Sequence, residues 1–199
     1  MLHGAWREMN TMSATELVDA RRAVREIHIQ RADEGDAPAL SRLAVRTFYE
    51  AFGAVVPPDA MAAYLSAAFS EPQTRAELAD PDTVFLLAAD GNGMLLGYAK
   101  AYFGAVTVPV AGVAPVKLWR LYTVSEAQGR GVGAALLTQA VEVVRERGGA
   151  TLYLTVNQGN TGAIRFYERH GFGTTGTTQF QIATETHHDF VMERALPLA

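Results

Sequence analysis

The chain has 199 residues, enough for one domain of ordinary size with its own hydrophobic core. Hydrophobic residues make up 49% and charged residues 19%, which excludes general disorder, and the net charge of -4 argues against a nucleic-acid surface. The absence of cysteine excludes disulfides, thiolate metal sites and cysteine nucleophiles, and it fits the cytoplasm. No apolar run reaches the ~18 residues of a membrane span, so we expect neither a membrane nor a nucleic acid as partner.

The charge pattern divides the chain into a short extension and one domain. Residues 1–25 are rich in charge and poor in large apolar side chains, so we interpret them as an N-terminal extension, weakly amphipathic over 14–24. The domain spans residues 26–197, and neither a repeat nor a long linker divides it. We therefore expect a single folded unit.

Strands and helices are predicted in an irregular order along this domain. The polar–apolar alternation of residues 26–31 predicts a strand, and Asp36 with Pro38 predicts the cap and first turn of a helix. A second helix follows Pro57-Pro58, and the remaining elements are predicted at 74–79 (helix), 84–89 and 94–103 (strands), 117–124 (strand), 132–148 (helix), 151–156 (strand), 160–170 (helix) and two strands in the tail. This order indicates a mixed α/β domain, not a regular βαβ succession.

The segment Gln128–Ala134 carries the clearest chemical signal. Three glycines stand at alternate positions between a strand and a strongly amphipathic helix. Main-chain N–H groups in such a loop can surround an anion at the positive end of the helix. The loop therefore predicts a phosphate or pyrophosphate site.

Three other interpretations of this loop fit the sequence less well. A nucleotide-hydrolysing P-loop needs Lys-Ser/Thr after the last glycine, but Gly133 is followed by two alanines. A dinucleotide-binding fold needs an acidic residue at the end of the next strand, which here ends Val156-Asn157-Gln158. A turn without a ligand rarely needs three glycines and an arginine at a helix start.

Three motifs together resemble the GNAT superfamily of acetyl-CoA-dependent N-acetyltransferases. They are Arg120–Val124, the glycine loop, and the segment from Asn160 through Phe166-Tyr167 to Gly171-Phe172. The resemblance covers residues 26–196. It implies a central mixed, mostly antiparallel sheet of six to seven strands flanked by helices, with acetyl-CoA as cosubstrate and no metal.

Within that superfamily, the sequence is most similar to bacterial spermine/spermidine acetyltransferases. The shared segments are 47–52, 64–70, 97–100 and the tail residues Phe180 and Asp189. The chain departs from that group at Lys117 and Trp119, where acidic residues are usual, and at Asn157-Gln158, where Trp-Glu is usual. It thus offers fewer carboxylates to a polycationic acceptor.

The resemblance assigns the coenzyme contacts to main-chain groups. The pyrophosphate would be held by the loop residues Gln128, Gly129, Arg130, Gly131, Val132, Gly133 and Ala134, with charge added by Arg130. The main chain of Tyr122, Thr123 and Val124 would pair with the pantetheine arm. A main-chain N–H near Val124 would then face the thioester oxygen and stabilise the oxyanion.

Asn160 and Tyr167 are seven residues apart and share one face of a helix. Asn160 is a candidate helix cap, and the resemblance adds a contact with the coenzyme. Tyr167 is the candidate general acid, because a phenol of pKa ~10 can protonate the departing thiolate. The alternative is that Tyr167 is a core aromatic beside Phe166.

The acceptor side is less determined by the sequence. Tyr49 and Tyr64 lie on the two early helices that flank the acceptor cleft in the family, and each has a polar end. The candidate bases are Glu50, Glu185, His188 and Asp189. His187 and His188 are adjacent on a strand and point to opposite faces, so we expect no metal there.

We expect direct transfer of acetyl to the primary amine of a small molecule. The most specific prediction is a polyamine-like acceptor. Acetylation of a protein or peptide amine and a non-catalytic acyl-CoA sensor are the alternatives. Dimers are common in the resembled family, so a homodimer is the expected assembly.

Overall fold

A computed structural model of the chain describes residues 26–182 and 185–196. The extension 1–25, its amphipathic stretch at 14–24 and residue 197 lie outside the described residues. The strands are β1 (Ile27–Arg31), β2 (Thr83–Asp90), β3 (Leu95–Tyr102), β4 (Pro115–Thr123), β5 (Thr151–Asn157), β6 (Gly173–Ile182) and β7 (Glu185–Ala195). The α-helices are α1 (Ala37–Phe52), α2 (Pro58–Phe69), α3 (Glu71–Ala79), α4 (Val132–Glu146) and α5 (Thr161–Arg169).

The seven strands form one sheet in the order β1-β2-β3-β4-β5-β7-β6. Neighbouring strands are antiparallel except β4 and β5, which are parallel. This confirms the mostly antiparallel sheet of six to seven strands. The predicted elements recur within a few residues of their expected bounds, although α3 begins at Glu71 and not at residue 74.

Helices cover both faces of the sheet. On β2, Phe85 packs towards Tyr98, whose ring neighbours Tyr122, and Tyr122 in turn contacts Phe48 of α1. The next residue, Leu86, points to the other face and lines a cavity with Val143 of α4. Helices α1 to α3 therefore share one face of the sheet, and α4 covers the opposite face.

The predicted cap of the first helix is wrong in detail. Asp36 precedes α1 but makes no side-chain cap to it. Its carboxylate reaches back to the Asp33 amide at 3.0 Å, while the Asp33 carboxylate accepts from Gly35 N at 2.7 Å. The two aspartates thus cap a short 3₁₀ helix, Glu34–Asp36, that leads directly into α1.

Candidate active site

The parallel strands β4 and β5 diverge after a short contact. They pair only over Pro115–Lys117 with Thr151–Tyr153. Beyond that point β4 continues along β3 as far as Thr123, and β5 continues along β7 as far as Asn157. From Leu118 onwards the edge of β4 that faces β5 has no partner among the described strands, so a cleft opens in the sheet.

The register with β3 decides which main-chain groups of β4 face this cleft. Val124 donates its N–H to Leu96 O at 2.9 Å, so this amide points to β3. Backbone groups of successive residues in an antiparallel pair point to alternate sides, which turns Thr123 and Leu121 towards the cleft. The donor that the sequence predicts near Val124 is therefore not the Val124 amide itself, and the cleft-facing amides near it are those of Thr123 and Leu121, of which sequence reasoning did not name Leu121.

The cleft leads to the glycine loop at the start of α4. Gly129 and Gly131 adopt φ values of +74° and +87°, which favour glycine, and Gly131 is the N-cap residue of α4 without a side-chain cap. The first helical main-chain hydrogen bond of α4 runs from Ala135 N to Gly131 O at 3.0 Å. Within the described part of the chain, no main-chain acceptor is bonded to the amides of Gly129, Gly131, Val132, Gly133 and Ala134.

Two amides of the predicted loop set are already engaged. Gln128 N donates to Ser125 O at 3.2 Å and Arg130 N donates to Ala127 O at 3.3 Å. These bonds close the 3₁₀ turn Ser125–Ala127, which connects β4 to the loop. Among the described residues, the loop amides left without a main-chain acceptor are that of Gly129 and the four at the start of α4.

A carboxylate from α1 anchors the same turn. Glu50 accepts from Ser125 N at 2.8 Å and from Arg46 Nε at 2.7 Å. Arg46 also contacts both carboxylate oxygens of Glu126, and these bonds raise the pKa of Arg46. Glu50, a predicted candidate base, is occupied in a structural role at the entrance of the loop.

Helix α5 lies beside the glycine loop. Its N-cap Asn160 accepts from Ala163 N at 3.0 Å, which confirms the predicted cap. A Cβ placed on Gly133 would lie 3.6 Å from the Phe166 ring, so Phe166 packs on the first turn of α4. The next residue, Tyr167, lies near Tyr122 of β4, whose charge acts on its phenol.

Tyr167 combines a packed ring with a hydroxyl that has no hydrogen-bond partner among the described residues. The ring contacts Phe166 and Phe172 at centroid distances of 5.3 and 5.5 Å. Burial raises the pKa of Tyr167 well above that of an ordinary phenol, and the nearby Tyr122 phenol raises it further. The phenol therefore keeps its proton throughout the neutral range.

The two predicted acceptor tyrosines are separated by the structure. The Tyr64 ring stacks on the Phe48 ring, with 4.7 Å between the ring centroids. Burial raises the pKa of Tyr122 to about 12, and the nearby Tyr64 phenol also raises it. Tyr49 is 60% exposed and folds over Gly53 at the end of α1. Of the two, Tyr64 belongs to the ring cluster with Phe48 and Phe69.

Two of the remaining candidate bases, His188 and Asp189, lie on β7. In the register of β5 and β7, Asp189 lies opposite Asn157, the last residue of β5. Asp189 is 6% exposed, whereas the adjacent His188 is exposed. The side chain of Glu185 lies outside the described part. Among the described residues, no group of three or more His, Asp or Glu side chains is suited to hold a metal ion. No helix within residues 26–182 and 185–196 is long and apolar enough to cross a membrane.

An open strand edge beside free helix-start amides suits an extended ligand that carries a phosphate group. Together with a protonated phenol near β4, these features are typical of an acyltransferase that uses a phosphate-bearing acyl carrier. The sequence profile of the Acetyltransferase (GNAT) family matches residues 38–172. The chain belongs to this family and is an acetyl-CoA-dependent N-acetyltransferase.

Similar proteins support this assignment. An uncharacterised N-acetyltransferase of Mycobacterium tuberculosis is 32% identical over 161 residues, covering 81% of this chain and 98% of the relative. Streptothricin acetyltransferase of Streptomyces lavendulae is 30% identical over 135 residues, which cover 64% of this chain and 66% of that protein. A crystal structure of PaiA N-acetyltransferase from Thermoplasma acidophilum in complex with coenzyme A has the same fold, with a TM-score of 0.70, 20% identity, and coverage of 86% of this chain and 99% of that one.

Proposed function

We propose that the protein transfers acetyl from acetyl-CoA directly to the primary amine of a small molecule, without an acyl-enzyme. The observation that carries this proposal is the convergence of three features at one cleft. They are the unpartnered edge of β4, the free amides of the glycine loop and the hydroxyl of Tyr167. The proposed catalytic domain is residues 26–197, with residues 1–25 as an extension.

The first role of the chain is to bind the coenzyme. The free amides from Gly131 to Ala134 point out of the α4 start and fit a pyrophosphate, while Arg130 adds a positive charge nearby. The outward groups of Thr123 and Leu121 fit the amides of a pantetheine arm as another strand would. Asn160 contributes as the cap that holds α5 in place.

The second role is to stabilise charge and move protons during transfer. Acetyl-CoA supplies a thioester; the amine nitrogen forms the new C–N bond as the C–S bond breaks. A cleft-facing amide of β4, at Leu121 or Thr123, stabilises the negative charge on the carbonyl oxygen. Tyr167 gives its proton to the departing sulfur, and the proton that the amine nitrogen releases restores the phenol.

The charge of the acceptor side bears on the kind of amine. The cations Lys100, Lys117 and Arg120 are matched by an equal number of carboxylates that act on them, those of Glu77, Asp80 and Asp189. This surface offers no excess of negative charge to a polycation, so it adds no support to the polyamine likeness of the sequence. With Glu50 occupied, Asp189 is the remaining buried candidate for the base.

The test is release of free coenzyme A across a panel of polyamines, amino acids, simple amines and short peptides. We expect turnover with at least one small amine. Turnover restricted to peptides would favour the protein-amine alternative. Binding of acetyl-CoA without any turnover would favour the non-catalytic sensor. The cytoplasmic location and the homodimer stay predictions from the sequence.

A further inference from the structure

The sequence contains two lysines among 17 basic residues, and the fold brings both to one tryptophan. Lys117 Nζ lies 4.2 Å from the centroid of a Trp119 ring, and Lys100 Nζ lies 5.2 Å from it. All other basic side chains, apart from histidine, are arginines. Both lysine ammonium groups therefore lie near Trp119, on the side of the sheet where we propose that the acceptor binds.

The two lysines differ in how their charges are balanced. Lys100 is 5% exposed, and its Nζ lies 2.9 Å from Glu77 Oε2, which also takes Arg120 Nη1 at 3.1 Å. Lys117 contacts Thr107 Oγ1 at 3.3 Å and the Trp119 ring. Among the described residues, no carboxylate lies within 4.0 Å of Lys117 Nζ.

A β-bulge turns Trp119 into this position. Lys100 is opposite Arg120 and Ala101 is opposite Leu118, so Trp119 is the extra residue of β4. Its ring meets Tyr102 edge-on at 5.3 Å and remains 41% exposed. The bulge therefore presents an accessible aromatic surface directly beside the ammonium of Lys117.

The ammonium of Lys117 is partly removed from water, and within the described part of the chain no carboxylate is in contact with it. Burial lowers the pKa of Lys117, and the charge of Asp189, more than 4.0 Å away, opposes that effect. An anion in contact with Nζ would replace the lost hydration. The charge of Asp189 also raises the pKa of Tyr122, so Asp189 lies near Tyr122 of β4 as well as near Lys117. A negative and a positive side chain therefore border the same part of β4.

We propose that the acceptor is an amino carboxylate whose carboxylate binds Lys117 while its carbon chain packs on Trp119. This rests on the proposed transfer to a small amine at the β4 cleft. Lys117 and Leu121 lie opposite Tyr102 and Ala99 of β3, which are three residues apart, so their Cα atoms are separated by about 10 Å. The long lysine side chain spans part of that distance, so amine and carboxylate of the acceptor are separated by several carbon atoms.

The experiment compares acceptors that differ only in the carboxylate: 6-aminohexanoate with hexylamine, and lysine with cadaverine, at saturating acetyl-CoA. For the wild type we expect kcat/KM at least tenfold higher for the carboxylate of each pair. Lys117→Met keeps the length of the side chain and should raise KM for the carboxylates with little change in kcat or in the values for hexylamine. Lys117→Arg should retain the preference, and Lys117→Glu should reverse it.

Arg42→Met is the matched control, because Arg42 is an exposed cation on α1 and its loss should leave both acceptor pairs unchanged. Equal kcat/KM for both members of each pair in the wild type would overturn the inference while leaving the proposed function intact. An equal fall for both members in Lys117→Met would overturn it too.

If no amine is turned over, the proposed function fails and binding decides the inference. Calorimetric titration of 6-aminohexanoate into protein saturated with coenzyme A should then give binding to the wild type and to Lys117→Arg, but not to Lys117→Met. Identical titrations for wild type and Lys117→Met would overturn the inference.

Discussion

The carboxylate of Glu50 accepts a hydrogen bond from the main-chain amide of Ser125 at 2.8 Å, across 75 residues of sequence. This bond joins α1 to the turn between β4 and the glycine loop. It connects the helix that borders the acceptor side to the segment that we propose binds the coenzyme. The position of the loop therefore depends on α1.

Removing this bond should weaken binding of the coenzyme more than it slows proton transfer. For Glu50→Ala we expect a loss of about 1–2 kcal/mol in the free energy of unfolding and a higher KM for acetyl-CoA. Glu50→Gln keeps an acceptor oxygen and should recover most of both. If Glu50→Gln instead lost activity together with the acidic limb of the pH–rate profile, Glu50 would be the base after all.

Acetyl-CoA should stabilise the folded protein. At a concentration 100 times its Kd, a ligand of the folded state adds about 2.7 kcal/mol. For a domain of this size, that corresponds to a rise in Tm of roughly 5–10 °C. Fragments without the pyrophosphate should give a smaller rise, and an unchanged Tm at millimolar acetyl-CoA would contradict the assignment of the loop.

Two glycines of the loop should respond differently to substitution. Gly131 has φ +87°, so Gly131→Ala should cost about 1–2 kcal/mol of stability and Gly131→Val should abolish coenzyme binding. At Gly133 a Cβ would meet Phe166 at 3.6 Å, an ordinary contact, so Gly133→Ala should leave Tm unchanged. Thermal unfolding and calorimetry of both alanine variants test this contrast, which equal losses would contradict.

Tyr167→Phe tests the proposed proton donor. We expect kcat to fall roughly 10²-fold with an unchanged Kd for acetyl-CoA, because the ring keeps its packing. The raised pKa of Tyr167 places its alkaline limb above pH 10, the ordinary phenol range, and the substitution should remove that limb. Tyr49→Phe, at an exposed tyrosine, is the control. A wild-type kcat in Tyr167→Phe, when chemistry limits turnover, would return Tyr167 to a core role.

Glu77 should matter for stability because it balances two cations. Its carboxylate pairs with Lys100 and Arg120, whose side chains are only 7% and 11% exposed. Glu77→Gln would leave both charges buried and should cost about 3 kcal/mol or more. Glu71→Gln breaks an exposed pair with Arg75 and should change stability by less than about 1 kcal/mol. Similar Tm values for the two variants would contradict this reasoning.

The sequence predicts local features well because each depends on neighbouring residues. The Asn160 cap and the glycine-rich start of α4 both follow from patterns within a few positions. The direction of the Val124 amide does not, because it depends on the register between β3 and β4. The exposed face of Trp119 depends on a bulge in the same pair, which side-chain periodicity does not reveal.

The three-residue contact between β4 and β5 divides the sheet into two halves, β1–β4 and β5–β7. The hydrogen-bond ladder is interrupted exactly where the proposed coenzyme arm would lie alongside β4. A bound arm would then complete the ladder, and its departure would break it again. The amides of Leu121 and Thr123 would exchange their hydrogens with solvent quickly in the free protein and slowly in the complex, so each catalytic cycle rebuilds and dismantles part of the sheet.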